Sequence, residues 1–550
     1  MPLAFTINGQ TTALGAGESL FEAAERLGVC VPSSCRKQGK CRECLVEISA
    51  GMDLLTPRSP EESHLKDNFR LSCRCRAAEP AGGDGQVQGH TLRRAALQIE
   101  NGATNLPRRG DHARLDPAVT RDGDRVLLDG VEIDRRSGPL HGLAMDLGTT
   151  TVVVRCLDLE TGATVATTSF ENPQRFGGTD VMARIQFDTE HAGRLLQRTL
   201  LGYLGRAIAE FPVEPRSIYE FVVAGNSTMR DLFFGLDVRS IGQKPYWSTT
   251  ERAFRAGERA STALAVKARR LRLPIHPEAR VYGLPLVGGH VGADAAACLL
   301  AVAPHRSDEF VAVMDIGTNT ELFMGNRQKL LAASCPAGPA FEGRAITCGM
   351  PGLDGAIARI KLDTGGTPHV GVIGDGLPEG ICGSGLIDLL GELLRTGRMN
   401  EYGRFENGDH TFVVDAAHDI VFRESDVNEL AQAKGANVAG LLVVAQHYGR
   451  SLRELDRFYL AGGFGRHLDL AAARRIGLLP DLPDEKIVQV GNASIEGAAI
   501  ALLSVSFRRE LEQLVKTVGH VELETAPGFF DHFVAGCQFR PIGAAEEVAT

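Results

Sequence analysis

A multidomain α/β architecture, with a small β-grasp unit first and a duplicated α/β unit behind it, is the fold class this 550-residue sequence predicts. Three observations carry that expectation. The chain is too long for one hydrophobic core. Six of its twelve cysteines fall between Cys30 and Cys75. Three strand-and-turn motifs also recur in the same order in its second half.

With 43% apolar and 23% charged residues the composition is that of a soluble globular protein. The net charge of -9 comes with no basic stripe to counter a polyanion, so no nucleic-acid partner is expected, and a neutral or basic protein partner fits better. The opening MPLAFTINGQ alternates like a strand and does not read as a signal peptide. The most apolar later stretch, Leu284 to Ala303, contains His290 and Asp294 and is broken by Gly288, Gly289 and Gly292, so no membrane association is expected and the cytoplasm is the expected location.

The first unit is read from alternation around Phe5 to Ile7 and Thr12, an amphipathic helix from Ser19 to Leu27 and a strand from Cys44 to Ile48. Between helix and strand lies the spacing Cys35-x5-Cys41-x2-Cys44, and Cys73 follows in RLSCRCRAA. Three thiols in one tight loop and a fourth on a distant strand are what a two-iron, two-sulfide cluster needs. Gly39 lets the backbone turn close to such a cluster, with Ser33, Ser34 and Arg42 as polar neighbours. A zinc site is the competing reading, but it normally pairs two CxxC knuckles and only Cys41-x2-Cys44 is present. Cys30 and Cys75 are spare thiols, either of which could replace Cys35 or Cys73. Cys156, Cys298, Cys335, Cys348, Cys382 and Cys537 are expected to be buried small apolar residues. On these residues the region resembles [2Fe-2S] ferredoxins of the adrenodoxin and plant type, which implies a β-grasp domain over residues 1–100.

After Cys75 the segment AEPAGGDGQVQGH is loop-like, and residues 101–140 show little apolar periodicity and read as a linker. The duplication follows, as a first half at 141–308 and a second at 309–550. LAMDLGTTTVVV returns as VAVMDIGTNTELFM, so that Asp146 matches Asp315 and Gly148 matches Gly317. YEFVVAGNSTM returns as DRFYLAGGFG, and GGHVGADAAACLLA as GNASIEGAAIALL.

Each DxGT motif delivers an aspartate and then a glycine turn. The turn amides, with Gly148, Thr149, Thr150, Gly317, Thr318 and Asn319, suit phosphate oxygens, while Asp146 and Asp315 suit Mg2+ or its waters. Gly462 and Gly463 leave room for a base or ribose against the backbone. GICGSGLIDLL, with Gly383 and Ser384, is a glycine turn entering a helix, either an anion site or ordinary structure. ENPQRFGGTDVMARI at 171–185 is a loop over the nucleotide, a partner surface or ordinary structure. Glu321 is the one candidate for a hydrolytic base.

This constellation resembles the actin-like, ribonuclease H-like ATPase superfamily, whose two halves flank a cleft for ATP and Mg2+. The fusion of a ferredoxin unit to it, together with MDLGTT, NPQRFGGTDV, AGNSTM, MDIGTNTE, GICGSGLID and LAGGFG, resembles the reductive activators of corrinoid proteins along essentially the whole chain. The resemblance implies an ATP hydrolase coupled to electron transfer, with a [2Fe-2S] cluster, ATP and Mg2+ as cofactors. It would pass one electron to the Co(II) corrinoid protein of a methyltransferase system and restore Co(I). Its implied partners are that corrinoid protein and an electron donor protein or reductase, with a homodimer as a possible assembly. At roughly 0.7 kcal/mol per 30 mV for one electron, an uphill gap of a few hundred mV costs on the order of 5 to 10 kcal/mol, which explains the need for ATP. One departure is that the family often has a longer region between ferredoxin and ATPase than the about 40 residues from Asn101 to Leu140 here. That departure bears on any separate middle or dimerisation domain.

Rival readings are less economical. A redox-regulated actin-like kinase leaves the ferredoxin unit unexplained, and an Hsp70-like chaperone would need more than the residues that follow Glu496. An ATP-dependent activator of another metalloenzyme, such as a dehydratase, normally lacks a ferredoxin domain.

Overall fold

Asn8 and Gly9 both adopt left-handed backbone, with φ of 49° and 79°, and so close a tight hairpin between strands Leu3–Ile7 and Gln10–Leu14. The structure is a computed structural model and describes residues 3–15, 17–33, 35–78, 85–92, 106, 115–374, 376–406, 408–463, 465 and 468–542. Ser34 and nearly all of 93–114 lie outside the described residues.

The hairpin belongs to a five-stranded sheet in the order Gln10–Leu14, Leu3–Ile7, Gln86–Thr91, Leu45–Ala50, Phe69–Leu71. The first strand runs parallel to Gln86–Thr91, and Leu45–Ala50 runs antiparallel to it. Helix Leu20–Arg26 crosses this sheet, started by a capping box in which Ser19 and Glu22 satisfy each other's backbone N–H groups. Alternate residues Leu3, Phe5 and Ile7 are buried beneath it with Leu20, Ala23 and Ala24. This is the β-grasp outline expected from the sequence.

Two further sheets repeat one plan. The first orders Thr164–Glu171, Thr151–Asp158, His141–Leu147, Ile218–Gly225, Arg280–Gly283 and Leu264–Lys267. The second orders Leu330–Cys335, Thr320–Gly325, Val311–Asp315, Arg457–Ala461 and Ile487–Gly491, with Gly519–His520 on the outer edge. In each, an antiparallel three-strand meander is extended by two parallel strands. The parallel strands are apolar on both faces, as strands covered by helices on each side must be. Helices Ala293–Val302 and Ala493–Leu503 sit between the two sheets and cross closely, because Gly497 packs directly on the Ala297 backbone where no Cβ would fit.

The stretch read as a linker needs correction. Residues Val119–Asp122, Arg125–Leu128 and Val131–Arg135 form an antiparallel three-stranded sheet. Its Val119 and Val126 are buried in the core that also holds the two crossing helices. Two Asp-Gly pairs, Asp122-Gly123 and Asp129-Gly130, are the hairpin turn signals that reveal it, and low apolar periodicity is simply what a small sheet with one covered face shows. Tyr219 donates to Asp134 at 2.6 Å and Arg280 pairs with Asp129, so this meander is fastened to the first lobe.

Cys156, Cys298, Cys335 and Cys382 are buried, while Cys348 and Cys537 are only half-buried.

Candidate functional site

The cysteine loop is shaped by strained backbone. Arg36, Lys37 and Arg42 are left-handed, and Gly39 (φ 74°) lies against the Arg74 guanidinium where a Cβ would collide. Four thiols meet in two pairs. Cys44 Sγ is 3.2 Å from Cys73 Sγ, and Cys35 faces Cys41. Burial raises the Cys35 thiol, but the backbone N–H groups of Cys41, Gln38 and Lys40, together with the Cys41 thiol, outweigh it and hold Cys35 below the usual range. Contact with Cys44, aided by the Gly39 N–H and Arg74 against the effect of burial, brings Cys73 down to about 7, while Cys44 keeps the shared proton and is pushed up. Cys75 differs: it is fully buried in the apolar core, and burial pushes its thiol up to about 12. Cys30 is exposed. Among the described residues no three His, Cys, Asp or Glu side chains converge as a mononuclear metal site. Two thiol pairs held under backbone N–H groups fit a two-iron cluster better than one zinc ion.

The second site is a cavity of about 520 Å³ between the two duplicated lobes. It gathers Asp146, Gly148, Thr149, Thr150, Asp315, Gly317, Thr318, Asn319, Glu321, Gly383, Ser384, Gly462 and Gly463 from four separate stretches of chain. Strands His141–Leu147 and Val311–Asp315 end at its floor, each delivering its aspartate. Gly462 (φ 104°) packs on the Ile316 backbone, which brings its own turn against the second DxG turn. The helix over Gly383–Arg395 begins at the cavity with Gly383 and Ser384.

Five carboxyls line this cavity, Asp146, Asp294, Asp315, Glu321 and Glu342, and among the described residues no three of them converge as a metal site. Burial, then mutual repulsion, raises Asp315 to about 8 and Asp294 to about 7, and pushes Glu321 well up. Burial also raises Asp146, opposed by hydrogen bonds from Asn492 Nδ2 (2.9 Å) and Ser494 Oγ (3.0 Å), both donated from the other lobe. Ser334 donates to Glu321 Oε1 at 2.9 Å, while the buried Glu321 Oε2 has no hydrogen-bond partner.

Several participants escaped the sequence reading. Glu342 accepts from Thr150 Oγ1 (2.5 Å) and Thr318 Oγ1 (2.9 Å), and so ties the two DxGT turns together. Asn226, the N-cap of the helix at Ser227–Phe234, donates to Thr149 Oγ1 at 3.0 Å. Asp294 lies in the first turn of an otherwise apolar helix, and Asn492 and Ser494 lie in the matching turn of the second half. The signal for Asn492 was its place in a repeated motif; Glu342 has no repeat counterpart to mark it.

The segment at 171–185 wraps the first DxGT turn. Asn172 donates to Gly148 O (2.8 Å) and Arg184 to Thr149 O (2.7 Å). Its far side meets the β-grasp unit, where Arg175 pairs with Glu47 at 2.5 Å and lies 5.7 Å from the Phe69 ring centroid. Arg198 donates to Cys41 O at 2.8 Å. One apolar cluster runs through the β-grasp sheet and the first lobe.

Fold and sites together define a ferredoxin-type iron–sulfur unit joined to a two-lobed actin-like ATPase. Residues 5–78 match the 2Fe-2S iron-sulfur cluster binding domain, 141–307 the RACo middle region, and 309–547 the C-terminal domain of RACo, the ASKHA domain. The chain is 31% identical over 451 residues to the corrinoid activation enzyme RamQ of Eubacterium limosum, covering 76% of this chain and 74% of that protein. It is 26% identical over 429 residues to the Co(II) methylated amine-specific corrinoid protein reductase of Methanosarcina barkeri, covering 72% and 76%. A solved structure titled reductive activator for corrinoid,iron-sulfur protein aligns over 98% of each chain, with 28% identity and a TM-score of 0.71. The chain belongs to the family of reductive activators of corrinoid proteins. Membership brings a 2Fe-2S cluster in the first domain and ATP binding in the ASKHA domain.

Proposed function

We propose that this protein is an ATP-dependent reductive activator, which returns the Co(II) corrinoid cofactor of a methyltransferase corrinoid protein to Co(I) by transferring one electron. The observation that carries this reading is the joint occurrence, in one chain, of two thiol pairs under backbone N–H groups and a two-lobed cleft lined by both DxGT turns. Neither site alone accounts for a coupled activity.

Cys35 and Cys41 would hold one iron, and Cys44 and Cys73 the other. When bound, such a cluster supplies one-electron chemistry. The loop N–H groups favour the thiolate forms and so prepare the sulfurs as ligands.

In the cleft, Thr149, Thr150, Thr318 and the turn amides would receive the phosphates, with Gly462 and Gly463 toward the nucleoside. Mg2+ suits the carboxyl set Asp146, Asp294, Asp315 and Glu321, in which the buried Glu321 Oε2 has no hydrogen-bond partner among the described residues. One or two of these carboxyls together with waters and phosphates are the usual environment of that ion. Glu321 would orient water from its end of the cleft.

An electron donor protein or reductase must re-reduce the iron–sulfur unit. No helix among the described residues is long and apolar enough to cross a membrane, and the redox chemistry of reduced thiols fits a cytoplasmic setting. The reading is tested by steady-state ATP hydrolysis with and without a Co(II) corrinoid protein. Stimulation by the corrinoid protein supports it; stimulation by a sugar or carboxylic acid, with phosphoryl transfer to it, would instead establish a kinase.

A further inference from the structure

Between the two sites runs a series of charged contacts, joined at its inner end by the backbone turn from Glu342 to Arg344. At its inner end the Glu342 carboxylate sits between Thr150 and Thr318, accepting from hydroxyls on both phosphate turns. Two residues on, Arg344 pairs with Glu171 at 2.5 Å. Glu171 also faces Arg175, at 3.4 Å, and Arg175 reaches Glu47 at 2.5 Å. Glu47 lies on strand Leu45–Ala50, which begins directly after Cys44. Arg175 and Glu171 are buried, so these pairs are little screened by solvent.

Glu342 has the charge and the hydrogen-bonding partners of a bound phosphate oxygen. A nucleotide whose phosphates engage both threonines cannot share those hydroxyls with a carboxylate, and like charges repel. Glu342 and Arg344 flank Gly343, which is left-handed at φ 76°, so both side chains are carried by one short turn. The chain is also incompletely satisfied: Arg175 Nε and Arg344 Nε are buried without a hydrogen-bond partner. A buried polar group left unpaired is costly in a low-dielectric interior, so this arrangement is not the best the same groups could make.

We propose that Glu342 occupies a phosphate subsite in the nucleotide-free protein, and that its displacement by nucleotide passes through Arg344, Glu171 and Arg175 to the strand that follows Cys44. The proposal rests on the reading that ATP binds in this cleft, and deepens it by naming the residues that report occupancy to the iron–sulfur unit. Arg175 and Arg344 are positioning residues in this scheme, and Glu342 is a competitor for the nucleotide.

The test uses full-length protein with its cluster, a non-hydrolysable ATP analogue with Mg2+, and two readouts on the same sample: calorimetric nucleotide affinity and amide hydrogen exchange across 45–50. Binding should change exchange in that strand by about 5-fold or more, the scale of ordinary site-to-site coupling. Glu342→Gln should tighten the analogue by about 5- to 10-fold, since it removes the competing charge. Arg175→Met should abolish the exchange response while the analogue still binds, and Arg175→Lys should restore part of it. Glu47→Gln, at the outer end of the chain where the side chain is 15% exposed and an amide can still accept from Asn68, should also abolish the response and guards against misfolding of Arg175→Met. Analogue binding with unchanged exchange in the wild-type protein would overturn the relay and leave the activator reading standing. A response that survives both Arg175→Met and Glu47→Gln would likewise overturn it. Hydrolysis falling over 100-fold in Glu342→Gln at unchanged affinity would make Glu342 the hydrolytic base and overturn its role as competitor. Failure of the analogue to bind at all would remove both readings.

Discussion

Cys73 and Cys75 are two residues apart and face opposite fates. Cys73 Sγ lies 3.2 Å from Cys44 Sγ, whereas Cys75 is fully buried among core residues, where burial pushes its thiol up to about 12. Replacing Cys75 by Ala therefore removes one buried atom of the size of a methylene, a loss of about 1 kcal/mol. For a unit of this size that lowers the melting temperature by roughly 4 to 8 °C if the β-grasp domain melts separately, and by less if it melts together with the lobe that shares its core. Iron and acid-labile sulfide should stay at two each per chain. Cys73→Ser should instead lower iron content and remove the electron paramagnetic resonance signal of the reduced cluster, because a buried hydroxyl is a poor ligand in place of a thiolate. Anaerobic purification, iron and sulfide determination and resonance spectra of both variants make the comparison. Full cluster content in Cys73→Ser together with loss in Cys75→Ala would refute the assignment, and with it the pairing of Cys44 and Cys73.

The carboxyl cluster gives a pH signature. Asp315 and Asp294 carry native values of about 8 and about 7 against about 4 when unfolded, so the native state holds extra protons between pH 4 and 8 and nucleotide-free stability falls as pH rises through that window. A cation held by these carboxyls, as proposed, would displace those protons, so Mg-nucleotide affinity should rise from pH 6 to 8, by up to about tenfold per unit for each proton released, and calorimetry in buffers of different ionisation enthalpy would count them. Asp315→Asn should flatten that dependence and raise nucleotide-free thermal stability. Gly497→Val should force the two crossing helices apart at Ala297, costing roughly 1 to 3 kcal/mol and slowing ATP hydrolysis, read by melting and by steady-state turnover.

Much of this architecture is legible in the residues because its chemistry is local and repeated. The Cys35-x5-Cys41-x2-Cys44 loop encodes its turn through Gly39, and the two DxGT turns announce each other through duplication. All thirteen residues read from the repeats and glycine turns line a single cavity. What stayed hidden has a weak mark or none. Glu342 is a single acid outside every repeat, made a neighbour of the cleft only by tertiary packing, and Asp294 lies in a repeated turn whose counterpart carries Ser494 in place of an acid. The meander at 119–135 was signalled by Asp122-Gly123 and Asp129-Gly130, yet its few buried side chains make it resemble a linker in composition. The segment around Arg175 contacts two domains at once, a property that no one-dimensional pattern expresses.

The central claim is that electron transfer to cobalt requires both sites of this chain. Purified protein, an artificial reductant and a Co(II) corrinoid protein, mixed without oxygen, provide the direct measurement through the Co(I) absorption band. The band should grow when Mg-ATP is added to the wild-type protein and stay absent without ATP or with Cys41→Ser. Growth of the band without ATP, or with the Cys41→Ser protein as the only catalyst, would contradict the account; so would sustained ATP hydrolysis that never yields Co(I).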